Sequence, residues 1–128
     1  MKGKIDISKL KVPPEKHELE TARFFSERGY DIEFIPPSNS PNIHTPDIKM
    51  EGVEWEMKSP QGKGRRTIEK AIRQAVKQSH YIIVDLKRVK IPESKVLSQL
   101  EKEYNSRPYI SRLYVITSGR KLIKFFRK

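Results

Sequence analysis

Charged residues alternate with apolar ones in the segment PDIKMEGVEWEMK, residues 46–58, which ends in a Glu-x-Glu-x-Lys series. Successive side chains of a β-strand point to opposite faces, so Glu54, Glu56 and Lys58 are predicted to share one face at intervals of about 6.6 Å. The apolar residues between them then face the core. Glu51-Gly52 is a tight hairpin turn signal, and the partner strand brings Asp47 beside Glu56.

Carboxylates held close together repel and shift each other's protonation unless a cation lies between them. Mg²⁺ or Mn²⁺ takes oxygen ligands and would relieve that repulsion at Asp47 and Glu56. Lys58 would reach the same space, where it can orient an attacking water and stabilise charge on a phosphate in the transition state. The alternative is an ordinary solvated strand face on which Lys58 pairs with Glu56.

The composition favours a polyanionic partner for such a site. The 128 residues include 27 Lys and Arg against 16 Asp and Glu, which gives a formal net charge of +11, and they include no cysteine. Cationic proteins bind nucleic acid because neutralising phosphates releases condensed counterions. The lack of cysteine excludes disulfides and thiolate chemistry. No apolar run reaches the roughly 20 residues of a membrane span, so we expect no membrane insertion by this domain. A basic surface that serves only solubility is the alternative.

The elements that must position these residues follow one another without a repeat. A loose N-terminal arm is predicted at residues 1–14, and a single domain at residues 15–128. The domain is predicted to contain a helix at 15–28, a strand at 30–36, a turn-rich loop at 36–46, the hairpin at 47–59, a helix at 67–79 capped by Thr67, a buried strand at 81–86, a helix opened by Pro92, and a hairpin about Ser118-Gly119. This order describes an α/β fold with a mixed β-sheet flanked by helices.

Pro46-Asp47 and Glu56-Met57-Lys58, on adjacent strands of a basic chain and followed by a helix, resemble the signature of the PD-(D/E)xK nucleases. The resemblance implies a restriction-endonuclease-like α/β/α core. It also implies that the aspartate and glutamate bind a divalent metal and that the lysine serves the attacking water. The segment HELETARFFSERGYDIEF, residues 17–34, resembles the first helix of many members. There Glu18 would complete the metal shell, with Glu20 as its competitor.

A narrower resemblance spans roughly residues 15 to 117. EMKSPQGKGRRTIEKAIRQAVKQSHYIIVDL, residues 56–86, is similar to the C-terminal tRNA nuclease domain of contact-dependent growth inhibition toxins. It implies metal-dependent cleavage of tRNA in the cytoplasm, delivery into target cells as the tail of a larger secreted toxin, and neutralisation by a cognate immunity protein. The chain starts at Met1 without a delivery region, so an excised domain and a free-standing relative both remain open.

Further residues are predicted to contact the substrate. Lys63, Arg65 and Arg66 surround glycines directly after the metal strand, in a loop that we expect to be flexible and to lie over a phosphate backbone. Gln78, at the end of the following helix, is expected to contact the site or a phosphate. Solvated surface is the alternative for all four residues.

Two other functions fit the same residues. One is a DNA endonuclease of junction-resolving or restriction type, because nothing in the sequence separates RNA from DNA. The other is a basic nucleic-acid-binding module without catalysis, in which the carboxylates are merely structural.

Overall fold

The computed structural model describes residues 2–40 and 44–127. Seven strands form one sheet in the order in which they occur along the chain. The strands are β1 (Ile5–Asp6), β2 (Ile32–Phe34), β3 (Ile48–Met50), β4 (Val53–Lys58), β5 (Tyr81–Asp85), β6 (Arg112–Ile116) and β7 (Leu122–Phe126). The helices are α1 (Lys16–Ser26), α2 (Thr67–Ala75) and α3 (Glu93–Ser106). Residues 41–43 of the predicted loop lie outside the described residues.

The sheet is mixed, as the sequence predicted. Strand β1 runs parallel to β2, and β4, β5 and β6 run parallel to one another, whereas the pairs β2–β3, β3–β4 and β6–β7 are antiparallel. The helices α2 and α3 are the crossovers that parallel pairing of β4, β5 and β6 requires. The prediction of a single-domain α/β fold is therefore confirmed.

Two apolar clusters lie on opposite faces of the sheet and make a three-layered molecule. One cluster packs α1, through Ala22 and Phe25, against strand residues that include Trp55 and Ile83. The other packs α2 and α3 against strand residues that include Ile82. Neighbouring residues of β5 thus serve opposite clusters, because successive side chains of a strand alternate between its faces.

The structure refines the predicted bounds of α1 and α2. Glu15 is the N-cap of α1, and its backbone N–H donates to the Glu18 carboxylate at 2.8 Å as part of a capping box. The helix ends at Ser26 rather than Arg28, and Gly29 follows with a positive φ of 91°. The prediction that Thr67 caps α2 is wrong, because Arg66 occupies the N-cap position and Thr67 is the first helical residue. The helix also ends at Ala75 rather than Ser79.

The predicted loose arm contributes a strand to the sheet. Gly3 N–H donates to the Ser26 carbonyl at 2.7 Å, and Lys4 N–H donates to Asp31 Oδ1 at 2.8 Å. These bonds hold the following residues, Ile5–Asp6, in register with β2. The expectation of a loose arm is therefore wrong for this segment, since its backbone N–H groups bond to the end of α1 and to the Asp31 side chain.

The β3–β4 hairpin has the predicted turn. Glu51 and Gly52 adopt positive φ values of 56° and 78°, as a two-residue type I′ turn requires. The register pairs Ile48 with Trp55 and Lys49 with Glu54. Continuing that register by one residue places Asp47 opposite Glu56.

Candidate active site

The hairpin brings Asp47, Glu56 and Lys58 together. Asp47 N–H donates to the Trp55 carbonyl at 2.9 Å, and Asp47 Oδ2 accepts the Met57 N–H at 2.8 Å. Lys58 Nζ lies 3.6 Å from Glu56 Oε2. Two carboxylates and an ammonium group thus meet where β4 ends, in the arrangement that strand alternation predicted.

Glu56 is buried, with only 6% of its surface exposed. Burial, followed by the negative charge of neighbouring Asp47, raises its pKa to about 8, while the positive charge of Lys58 opposes the rise. Burial also raises the pKa of Asp47, against the opposing hydrogen bond from the Met57 N–H. The Oε1 atom of Glu56 is buried and has no hydrogen-bond partner within the described residues.

The oxygen donors of this pair fit a divalent cation. A buried carboxylate oxygen without a partner is costly, and a hard cation such as Mg²⁺ or Mn²⁺ would both coordinate it and offset the charge of Asp47. No cluster of three or more His, Cys, Asp or Glu side chains suited to hold a metal occurs in residues 2–40 and 44–127. The structure therefore assembles two of the three predicted carboxylate ligands.

Glu18, in the first turn of α1, lies near Asp47. It lines a depression of about 310 Å³ together with Asp47, but its Oε1 atom accepts the Glu15 N–H of the capping box. Its competitor Glu20 lines a different depression and forms an ion pair with Lys87. The position of Glu18 is thus closer to the predicted role than that of Glu20, and its part in a metal shell stays a prediction.

Lys58 also lines a larger depression of about 440 Å³. Ser59 extends its wall from the end of β4, Arg88 contributes from the segment after β5, and His17 contributes from α1. One face of α2 forms the opposite wall with Thr67, Lys70 and Gln74. The walls are predominantly polar or basic, which suits a charged and hydrated ligand more than an apolar one.

The predicted basic loop lies between Gln61 and Thr67, which both line this depression, and it is anchored rather than free. Lys63, Arg65 and Arg66 are exposed. Gly62 forms an isolated parallel bridge with Val89, and its carbonyl accepts the Lys90 N–H at 2.8 Å. These contacts tie the loop to the segment that follows β5. The expected flexibility is therefore wrong at Gly62.

Gln78 lies away from Lys58. It lines a shallow depression with Glu54 and His80 beside the other end of β4, and its Oε1 atom is buried without a partner in the described part of the chain. Gln74, about one helical turn earlier, lines the larger depression instead. The structure therefore does not bring Gln78 to the other predicted site residues, and its contact with substrate stays a prediction.

Sequence reasoning missed Arg88 and Asp85. Asp85 is 2% exposed and accepts hydrogen bonds from Arg120 at 2.7 Å and 3.2 Å and from the Thr21 hydroxyl at 2.7 Å. Arg88 binds Ser59 through two hydrogen bonds. One signal could have indicated this region, because ligands of α/β sheets bind outside the carboxyl ends of parallel strands. Asp85 ends β5, and Arg88 follows it closely.

Comparison with known proteins identifies the family. Residues 44–122, more than half of the chain, match the family described as the contact-dependent growth inhibition CdiA C-terminal domain. The chain belongs to this family. It is therefore a toxin domain of contact-dependent growth inhibition, of the kind that is delivered into target cells. A search of curated proteins found no match.

A solved structure supports the fold of this CdiA C-terminal domain. A chain of the CdiA-CT/CdiI toxin and immunity complex from Burkholderia pseudomallei is similar over 98% of this chain and 100% of its own, with a TM-score of 0.69 and 20% sequence identity. At that identity the likeness concerns the fold alone. The family match contains Asp47, Glu56, Lys58 and Arg88, whereas Glu18 lies before it.

No helix in the described part of the CdiA C-terminal domain is both long enough and apolar enough to cross a membrane.

Proposed function

We propose that this toxin domain is a metal-dependent endonuclease of the PD-(D/E)xK type, and that it cleaves tRNA. One observation carries the proposal: the β3–β4 hairpin holds Asp47 against buried Glu56, and Lys58 Nζ lies 3.6 Å from Glu56 Oε2. A surface of solvated charges would not bury a glutamate beside another carboxylate, because desolvation penalises the ionised form. Burial of this kind is typical of functional sites.

Each residue of the group has a defined task in this proposal. Asp47 and Glu56 would hold Mg²⁺ or Mn²⁺, and Glu18 would contribute directly or through a water. The bound ion would supply Lewis-acid stabilisation of charge on the phosphate and lower the pKa of a nearby water. Lys58 lines the open depression beside the pair. There it would orient the attacking water and stabilise negative charge as it develops on the phosphate.

The charge of the chain and its family support a nucleic-acid substrate. The net charge of +11 favours a polyanion. Lys63, Arg65 and Arg66 are exposed in the loop between Gln61 and Thr67, two residues that line the depression containing Lys58, and phosphates of the same strand would pass there. The resemblance to tRNA nuclease domains of this toxin class favours tRNA over DNA as the substrate. The site of action would then be the cytoplasm of the target cell.

A cognate immunity protein belongs to this proposal as a second partner. The similar chain from Burkholderia pseudomallei comes from a toxin and immunity complex. An immunity protein that covers the depression around Lys58 would prevent nucleic acid from reaching it.

A cleavage assay tests the proposed activity. Purified protein is incubated with tRNA and with plasmid DNA, each with Mg²⁺, with Mn²⁺ and with EDTA. We expect metal-dependent cleavage of tRNA. Preferred cleavage of the plasmid would support the DNA endonuclease instead, and binding of either nucleic acid without cleavage would support the non-catalytic module.

Single-turnover cleavage by Lys58→Ala tests the assignment of the lysine. Positioned proton transfer contributes about 10²–10⁴-fold to rates, so we expect a loss of that order with modest weakening of binding. Lys49→Ala is the matched control, since Lys49 is exposed on the adjacent strand β3. A Lys58→Ala protein that is correctly folded and cuts within a few-fold of the parental rate would remove Lys58 from the mechanism.

A further inference from the structure

Arg88 lies at the junction of two depressions. It lines the depression that contains Lys58, and it also lines a second one of about 290 Å³ that contains Lys16 and Lys87. His17 and Ser59 are the other residues common to both. The two depressions are therefore neighbouring parts of one trough across the carboxyl ends of β4 and β5.

Neutral partners fix the guanidinium of Arg88. Its Nε donates to Ser59 Oγ at 3.0 Å, and its Nη2 donates to the Ser59 carbonyl oxygen at 2.6 Å. Ser59 directly follows Lys58, so these two bonds fix the guanidinium relative to the lysine. The side chain is only partly exposed, and bonds to Ser59 leave part of its planar fork of donors available for a ligand.

The charge of Arg88 is not compensated, in contrast to its neighbours. No carboxylate in residues 2–40 and 44–127 lies within ion-pair distance of its guanidinium, whereas Asp85 pairs with Arg120 at 2.7 Å and Glu20 pairs with Lys87. Both carboxylates of the second depression are thus neutralised by other residues. The positive charge that remains there is that of Arg88, with exposed Lys16 beside it.

A partly buried cation without a counter-charge loses hydration, and the two bonds to Ser59 replace only part of what Arg88 loses. An anionic ligand would replace it, and the guanidinium fork matches the oxygens of a phosphate. The position of Arg88 next to the Lys58 depression makes a second phosphate of the same strand the fitting ligand. This step rests on the proposed function, which supplies the first phosphate.

We propose that Arg88 binds the phosphate adjacent to the one that Lys58 contacts, so that the nucleic-acid strand runs along the trough through both depressions. Ser59 is then a positioning residue, because it holds the guanidinium and touches no phosphate. Lys16 lies at the far wall and adds charge to the same subsite.

Binding without metal tests this subsite. The Kd of fluorescein-labelled tRNA is measured by anisotropy in EDTA over a series of salt concentrations, for the parent and for Arg88→Gln. Glutamine removes the charge and keeps an amide donor for Ser59. Hydrogen bonds to charged groups are worth enough to predict a Kd about 10- to 100-fold weaker. The slope of log Kd against log salt should become shallower by about 0.7–0.9, because one phosphate fewer is neutralised.

Two further variants separate a phosphate-binding role from a merely structural one. Lys102→Gln, an exposed change on α3 outside the trough, should keep the parental Kd and slope. Ser59→Ala removes one bond to Arg88 and keeps the charge, so its slope should stay parental while its Kd weakens by a smaller factor. An Arg88→Gln protein that is folded and binds with the parental slope overturns the proposal.

The binding experiment and the cleavage assay can fail independently of each other. Salt-dependent binding that requires Arg88, in a protein that cuts neither tRNA nor DNA, upholds the subsite and removes the endonuclease. If Arg88→Gln cleaves tRNA with the parental kcat/KM, the endonuclease is upheld and the subsite is removed. If Arg88→Gln is unfolded by circular dichroism, Lys16→Gln replaces it, since Lys16 is exposed and takes no part in the bonds between Arg88 and Ser59. An unchanged slope in Lys16→Gln then overturns the subsite.

Discussion

Glu56 is buried beside Asp47, and its pKa is raised to about 8 by that burial and by the charge of its neighbour. Its ordinary value is 4.5. A group whose folded pKa is raised contributes stability that is fully present below the unfolded pKa and is lost as pH rises through the folded one. In metal-free protein, the contribution of Glu56 is therefore lost between about pH 4.5 and pH 8.

Glu56→Gln should make metal-free protein more stable at about pH 8.5 and change it little at about pH 4.5. Glutamine imitates the protonated carboxyl and never ionises. Each unit of pKa shift corresponds to about 1.4 kcal/mol. Structural relaxation around Asp47 and Glu56 reduces the total destabilisation that follows from the shift. We therefore expect Glu56→Gln to raise the free energy of unfolding by about 1–3 kcal/mol. Urea unfolding in EDTA at the two pH values measures it.

Glu54→Gln is the control for that measurement. Glu54 shares the strand and the face of Glu56 but is exposed, so its substitution should have nearly the same small effect at both pH values. Equal pH dependence in the parent and in Glu56→Gln would mean that Glu56 ionises normally in the folded protein.

The residues of the hairpin could be predicted because their geometry is local. Strand alternation fixes Glu56 and Lys58 on one face, and the Glu51-Gly52 turn fixes Asp47 opposite Glu56. Arg88 could not be predicted in this way. Its contact with Ser59 depends on parallel pairing of β4 and β5 across the intervening helix α2, and no local pattern encodes that pairing.

At the scale of elements, the basic loop after β4 is held by Gly62 and the segment after β5. Replacing Lys63, Arg65 and Arg66 together with serine should weaken tRNA binding in EDTA. The salt slope should become shallower by about 0.7–0.9 for each phosphate that the loop no longer neutralises, because fewer counterions are released. Fluorescence anisotropy over a salt series measures both quantities.

A triple change elsewhere is the control for the loop. Lys77, Lys95 and Lys102 are exposed and line neither depression of the trough. Their replacement with serine lowers the net charge by the same amount. Equal effects of the two triple changes would assign the loop to general electrostatic attraction rather than to direct binding of phosphates.

The first strand depends on a close backbone approach at Gly3. A Cβ atom there would lie 1.9 Å from the Tyr30 carbonyl oxygen, so Gly3→Ala must move the chain away from the α1–β2 connection. We expect a loss of about 1–3 kcal/mol, typical of overpacking. Thermal melting measures it. Gly119→Ala is the control, since its Cβ would meet only the Thr117 hydroxyl at an ordinary 3.8 Å.

Hydrophobic periodicity predicted which elements are helices and which are strands. It predicted neither the strand β1 nor the end of α2 at Ala75. A two-residue strand has too few positions to show alternation, and the feature that fixes β1 is the absence of a side chain at Gly3. The end of α2 depends on a distant partner. The Ser79 hydroxyl donates to the Glu54 carbonyl at 2.7 Å, which turns the chain toward β5.

At the scale of the whole molecule, burial and charge act against each other around the candidate metal site. The chain carries a net charge of +11, yet its hairpin places two carboxylates side by side under low solvent exposure. In the absence of a cation, the raised pKa of Glu56 keeps that carboxyl protonated near neutral pH. Binding of a cation must release this proton, so folding, proton binding and metal binding are linked.

This linkage predicts that Mg²⁺ or Mn²⁺ raises the melting temperature, and that it does so more at about pH 8.5 than at about pH 6. A ligand of the folded state at about ten times its Kd contributes about 1.4 kcal/mol, which corresponds to roughly 5 °C for a domain of this size. At the lower pH the proton on Glu56 competes with the ion and reduces the shift.

Thermal melts at constant ionic strength, with NaCl in place of the divalent salt as the reference, measure the difference. Asp47→Ala and Glu56→Ala should each abolish it, while Glu54→Ala should retain it. A shift that is independent of pH and survives in both site variants would place the ion elsewhere on the molecule.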